Sequence, residues 1–190
     1  MPFRDFGRFP AEQFDGTPEE RRELDRLFSA TYEELRRLAS ALRRSDPGAT
    51  LSPTTLVNEA WLKLANSPRF ASTSRLHFKR IAARAMRQVL IEAARRRNAS
   101  KRGGGHAELI TFDEATGASA ECGREMLALD NALEQLARMN PRQAMMVESR
   151  FFGGLDVTET AQLLEVSEAT ILRDWRAAKA WLARELRRAV

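Results

Sequence analysis

The chain has 190 residues, 43% of them hydrophobic and 30% charged, a length that fits one or two domains and excludes three ordinary ones. No run of roughly 18 uninterrupted apolar residues is present, and the N-terminal MPFRDFGRFP lacks the apolar stretch of a signal peptide, so a cytoplasmic protein without membrane insertion is expected. The single cysteine, Cys122, excludes an intramolecular disulfide, no cysteine and histidine cluster is spaced to hold a metal, and the dominance of Ala, Leu, Arg and Glu predicts an all-α fold.

The formal charge of +5 conceals an asymmetry. Residues 1–102 carry 21 Lys and Arg against 12 Asp and Glu, a net of +9, whereas the remainder carries 10 against 14, a net of −4. A basic half points to a polyanionic partner, although basic surfaces also serve solubility.

In chain order, residues 1–16 read as a loose tail. Thr17-Pro18-Glu19-Glu20 then combines an N-cap, a proline at the first helical position and a capping-box glutamate. From there Leu24, Leu27, Phe28, Leu35, Leu38, Ala39 and Leu42 recur at helical spacing until Asp46-Pro47-Gly48. Ser52-Pro53 repeats the start signal for a shorter helix with Leu56, Val57, Ala60, Trp61 and Leu64 on one face, closed by Asn66-Ser67-Pro68. A third helix from about Ser74 turns Ile81, Ala82, Ala85, Met86, Val89 and Ala93 inward and carries Arg80, Arg84, Arg87, Arg95, Arg96 and Arg97 mostly elsewhere. It ends near Gly103-Gly104-Gly105. Residues from about 98 to 120 show no sustained period, so a linker is set at 103–121 between a domain at 17–102 and one at 122–190.

Beyond the linker, Leu129, Leu133 and Leu136 form a stripe, Asn140-Pro141 opens another helix, and Gly153-Gly154 closes it. Two closely spaced helices follow, with hydroxyl N-caps expected at Thr158 and Ser167. The segment from Val157 to Trp175 fits a helix-turn-helix: Ala161 is small where two helices must cross, and Leu164, Val166, Ile171 and Trp175 supply the contacts. Thr160 and Glu165 stand where an apolar residue and a glycine are usual, which leaves an ordinary helical hairpin as the alternative. Arg173, Arg176, Lys179, Arg184, Arg187 and Arg188 offer cations for phosphates along the second helix.

In the basic half, Arg95, Arg96, Arg97, Lys101 and Arg102 close a helix before the glycines, either as a nucleic-acid groove or as charges favoured at a helix C-terminus. LVNEAWLKL, Leu56 to Leu64, reads as a core-packing amphipathic helix, and its periodicity does not settle whether it also binds a partner. His77 and His106 are remote from Cys122 and from paired carboxylates, and neither GGGH nor FFGG has the strand-to-helix setting of a phosphate loop or nucleophile elbow. An enzyme is not expected, and no cofactor or metal site is predicted.

Together LDRLFSATYEELRRLA from Leu24, LVNEAWLKL, AARAMRQVLIEAARRRNASKRGGG from Ala82, and the stretch from Asn140 to Arg188 resemble the extracytoplasmic-function group of bacterial sigma-70 family RNA polymerase sigma factors. The resemblance covers nearly all of residues 17–188 and implies two helical domains on a flexible linker, the first melting promoter DNA and the second carrying the helix-turn-helix. It implies that Asn58, Glu59, Trp61 and Lys63 dock on the clamp of the largest subunit of core RNA polymerase. Arg80, Arg84, Arg87, Gln88, Arg95, Arg96, Arg97, Lys101 and Arg102 would hold the minus-ten element, Arg87 and Gln88 matching an Arg-Asn pair and Glu92 an Asp in related sequences. Ile81 stands where many relatives have tryptophan. Ser167, Glu168, Ala169, Thr170, Arg173, Asp174, Arg176 and Lys179 would meet promoter DNA at the minus-thirty-five element, with an anti-sigma protein as a further candidate partner. The competing reading is a stand-alone helix-turn-helix repressor or activator whose N-terminal half senses a ligand or dimerises.

Overall fold

A computed structural model describes residues 17–44, 51–65, 74–100 and 114–189, with the backbone alone for Arg44, Ser100, residues 114–123 and Ala189. The expected loose tail at 1–16, the breaks at Asp46-Pro47-Gly48 and Asn66-Ser67-Pro68, and Lys101, Arg102, Gly103 to Gly105 and His106 lie outside the described residues. Among the described residues there are seven helices and no strand: α1 (Pro18–Arg44), α2 (Pro53–Ala65), α3 (Arg75–Ser100), α4 (Glu114–Met139), α5 (Pro141–Phe151), α6 (Val157–Leu164) and α7 (Glu168–Ala189). The all-α expectation is met.

The helix starts are built by local hydrogen bonds that satisfy otherwise orphaned amides. The Glu20 amide donates to Thr17 Oγ1 at 3.2 Å and the Thr17 amide to Glu20 Oε2 at 2.7 Å, the reciprocal capping box of α1. Ser52, Ser74, Asn140 and Ser167 cap α2, α3, α5 and α7, each accepting an amide three residues on. At α6 the cap is Asp156, two residues before the expected Thr158. Its carboxylate accepts from the Glu159 amide at 2.7 Å, and Glu159 returns the bond to the Asp156 amide at 3.1 Å. Thr158 instead donates to Glu168 Oε1 at 2.7 Å, tying the start of α6 to that of α7.

A second departure concerns the segment set aside as linker: α4 already begins at Glu114, inside the stretch 103–121. Thr, Gly and Ser in EATGASA are poor helix formers, but a helix once nucleated extends one hydrogen bond per residue, and the Leu-rich second half of α4 supplies that nucleus.

Two apolar cores result. Leu24, Tyr32, Leu35, Leu56, Val57, Trp61, Phe78, Met86 and Val89 form the first, from α1, α2 and α3. The second gathers Leu133, Leu136, Met146, Val147, Phe152, Ile171 and Leu182 from the later helices. α3 belongs to both, because Ala83, fully buried, and Leu90 pack into the second core while Phe78, Ala82 and Met86 fill the first. It therefore lies between α1 and α2 on one side and α4, α5 and α6 on the other. Gly153 matters at this contact: a Cβ there would sit 3.0 Å from the Ala83 Cβ and 2.5 Å from the Ser149 carbonyl oxygen. Gly154 adopts φ +66, the left-handed conformation that glycine tolerates without penalty.

Candidate nucleic-acid interface

The turn between α6 and α7 is held by Glu165, at φ 54 and ψ 43, whose amide donates to the carbonyls of Ala161 and Gln162. A left-handed residue is what this tight turn needs, and glutamate fills it at a steric cost that glycine would avoid. Thr160, buried in place of an apolar residue, satisfies its hydroxyl by donating to the Asp156 carbonyl at 2.5 Å. Ala161 and Ile171 are buried in the crossing, with Leu164, Val166 and Trp175 partly buried around them.

On α7 the phase is set by buried Ile171, Asp174, Ala178 and Leu182, spaced three, four and four residues apart. Asp174 therefore does not face outward as the sequence reading placed it. It is 6% exposed and accepts from Arg142 Nη2 of α5 at 2.8 Å. The exposed face of the first two turns comprises Glu168, Ala169, Leu172, Arg173 and Arg176. Ser167 and Thr170 are occupied with each other and with the cap, their hydroxyl oxygens 2.9 Å apart. Lys179 lies over the Trp175 ring at 5.7 Å, with Arg150 closer at 4.4 Å. Leu172, 43% exposed, went unassigned in the sequence reading, yet it sits four residues after Glu168 and four before Arg176 on the same face. An apolar side chain out of phase with Ile171 and Ala178 was the available signal.

The α3 cations divide. Arg84, Arg95 and Arg96 are exposed, as is the uncharged Gln88, whereas Arg80, Arg87 and Arg97 are partly buried. Arg87 turns to the later helices: its Nε and Nη2 donate to Asp130 Oδ1 at 2.9 and 2.6 Å, Nη2 also to the Asp130 carbonyl at 3.1 Å, and Nη1 to Glu148 at 3.1 Å. Arg80 Nη1 lies 3.3 Å from Met145 Sδ of α5. Arg95 reaches the other Asp130 oxygen at 3.5 Å, and the buried Lys79 ammonium bridges Glu159 of α6 at 2.8 Å and Glu34 of α1 at 3.2 Å. At the start of the same helix, His77 has its pKa lowered by desolvation and then by the nearby Arg80 charge, which favours the neutral ring.

On α2, Asn58 is partly buried and Glu59 exposed. Trp61 does not face outward as the resemblance implies: at 5% exposure it stacks on Phe28, ring centroids 4.4 Å apart, with the Arg21 guanidinium 5.5 Å from its ring centroid, so it packs the core and presents no indole to a partner. Lys63 pairs with Glu92 of α3 at 2.8 Å, joining two residues the sequence reading had assigned to different surfaces. Among the described residues no group of His, Cys, Asp and Glu is placed to hold a metal ion, and no helix is long and apolar enough to cross a membrane.

Seven helices among the described residues, one of them arginine-rich, and a capped helix pair with an exposed second member define an all-α protein with the makings of a DNA-binding surface. The model of the ECF sigma factor family matches residues 15–188, and the chain belongs to that family, whose members act in transcription initiation with core RNA polymerase and promoter DNA. Comparison with curated proteins and with solved structures gave no match.

Proposed function

We propose that this protein is a promoter-specificity subunit: it binds core RNA polymerase, recognises a specialised set of promoters and helps open them, while the polymerase performs the chemistry. The observation that carries this reading is the α6–α7 pair, where the turn at Glu165 projects Ala169, Leu172, Arg173 and Arg176 together on the first turns of an exposed helix. That helix serves as the reading element of a helix-turn-helix in the major groove of the minus-thirty-five element. Arg173 and Arg176 can donate to guanine or phosphate, and Leu172 can contact a thymine methyl. Glu168, though bonded to Thr158, keeps a second carboxylate oxygen for a cytosine amino group.

The minus-ten element falls to α3, through Arg84, Gln88, Arg95 and Arg96 at its solvent face, with Arg80, Arg87, Arg97, Lys101 and Arg102 joining them. Core polymerase docks on α2 through Asn58 and Glu59, with Lys63 at the edge. The test is transcription with core polymerase on a pool of genomic fragments. The protein should yield transcripts from a small set of fragments, and Asn58→Ala/Glu59→Ala should reduce core binding at unchanged thermal stability. Fragment-independent transcription, or core affinity indifferent to the double substitution, would overturn the assignment.

A further inference from the structure

The first turns of α6 and α7 are joined by a side-chain bond: the Thr158 hydroxyl donates to Glu168 Oε1 at 2.7 Å, across ten residues of chain. Neither residue is needed to cap its own helix. Asp156 caps α6 in a complete capping box, and Ser167 caps α7, its Oγ accepting the Thr170 amide at 3.2 Å. Glutamate in a first turn is favoured by the helix dipole wherever its side chain swings, but here the carboxylate is drawn sideways onto α6. Both residues are exposed, and a hydrogen bond within reach of water adds little to stability, so holding the fold together does not account for the pair. An ionised carboxylate only accepts, so the hydroxyl must point its proton at Glu168 and keeps lone pairs alone for anything outside. The pair therefore shows acceptors and no side-chain donor to whatever meets the start of α7.

We propose that Thr158 is a positioning residue for promoter reading: by fixing the Glu168 carboxylate it makes a rigid acceptor that selects cytosine at one base position of the minus-thirty-five element. The inference rests on the reading of α7 as the helix that enters the major groove there, and deepens it by naming the base. In that groove cytosine presents the N4 amino donor, whereas guanine and thymine present O6, N7 or O4 acceptors, which a carboxylate repels. Adenine offers an N6 donor but sets the N7 acceptor beside it, where Glu168 has no proton to give. The rejection matters as much as the attraction, because a carboxylate carried into the groove between phosphates is costly unless a donor meets it, and the wrong base leaves it unpaired. A free glutamate side chain has several rotatable bonds with which to swing away from a keto base. One tied by Oε1 keeps Oε2 in place and cannot retreat without breaking the Thr158 bond.

The experiment selects a randomised minus-thirty-five element with holoenzyme containing the wild-type chain, Thr158→Val, Thr158→Ser, Glu168→Gln or Arg173→Ala, with thermal denaturation of each free protein alongside. Valine keeps the shape of threonine and removes the donor. We expect the wild type to enrich cytosine at one position and Thr158→Val to cut that enrichment about threefold to tenfold, the contribution of one orienting hydrogen bond, without altering the other positions. Thr158→Ser should restore it. Glu168→Gln, whose amide can bond adenine N6 and N7 together, should move the same position from cytosine towards adenine. A merely structural bond would give an even loss across positions, or a lowered Tm with unchanged base preference, and either result in Thr158→Val overturns the proposal. So does a Glu168-dependent position at which the wild type prefers any base other than cytosine. If Glu168→Gln changes no position while Arg173→Ala still relaxes one, the helix reads DNA and this inference alone fails. If neither variant changes any position, the reading of α7 fails with it.

Discussion

Adjacent residues on α7 give the sharpest separation of reading from scaffolding. Arg173 is exposed, its side chain 72% accessible and only 3.7 Å from Asp174 through Nε, whereas Asp174 points into the domain and holds Arg142 at 2.8 Å. Arg173→Ala should cost the fold within about 0.5 kcal/mol, as exposed substitutions do. It should also relax base preference at one or two positions, where a good contact is worth about 1–3 kcal/mol of discrimination. Asp174→Ala should do the reverse. Removing one member of a fully buried pair costs about 3–5 kcal/mol, but Arg142 is 47% exposed and can recover water, so we expect about 1–2 kcal/mol. For a chain of this length each kcal/mol lowers Tm by about 2–4 °C, so the loss is about 2–8 °C. Leu172→Ala should leave Tm nearly unchanged and relax a thymine preference. The assay is selection from a randomised upstream promoter element with holoenzyme, paired with thermal denaturation of the free proteins. A shifted base preference in Asp174→Ala at unchanged Tm would refute this phase of the helix.

Two other outcomes follow from the packing. Glu165→Gly should stabilise the protein by about 0.5–1 kcal/mol in urea denaturation, because relief of the left-handed strain, about 1–2 kcal/mol, exceeds the extra unfolded-state freedom of glycine; destabilisation would show that the Glu165 side chain contributes more than its backbone costs. Trp61→Ala should destabilise by about 3–5 kcal/mol through the cavity beside Phe28, and its loss of core polymerase binding should track the unfolded fraction; weakened binding by a fully folded variant would restore Trp61 as a contact residue.

What was legible in the sequence is what local chemistry decides. Thr17, Ser52, Ser74, Asn140 and Ser167 cap helices because a side-chain oxygen three residues from an amide needs no distant partner. The misplaced cap at Thr158 was a contest between two residues with the same credentials, won by Asp156 because Glu159 falls three residues after it and completes the box. Asp174 and Leu172 were both open to helix phase: the first is in step with Ile171 and Ala178 and the second is not. Trp61 was likewise in the apolar stripe with Val57 and Leu64, and the resemblance drew it outward. The partners of Arg87 and Lys79 were not legible. Asp130, Glu148 and Glu159 among them lie 43, 61 and 80 residues away, and periodicity within one helix shows which side chains leave the apolar stripe without showing what covers them.

The two sides of α3 differ in polarity. A permanent interface gains most from apolar burial, and buried charge pairs are often no better than well-packed hydrophobic residues in their place. Here the side of α3 facing the later helices offers Ala83 and Leu90 together with Lys79, Arg80 and Arg87, and meets Glu159, Met145, Asp130 and Glu148. Its opposite side, against α1 and α2, is apolar, with Phe78, Ala82, Met86 and Val89. The same helix thus has one apolar face and another whose cations meet carboxylates of α4, α5 and α6. The division of charge, +9 up to Arg102 and −4 beyond, is reflected in this contact, where cations of α3 meet acids carried by the other half. Replacing Arg87 alone with an apolar residue of similar volume should destabilise the free protein, because the Asp130 and Glu148 carboxylates, 8% and 17% exposed, are left without their counterion, and promoter opening by the holoenzyme should fall as well. A holoenzyme that opens promoters normally with Arg87→Met would show that this arginine serves the contact with α4 and α5 alone.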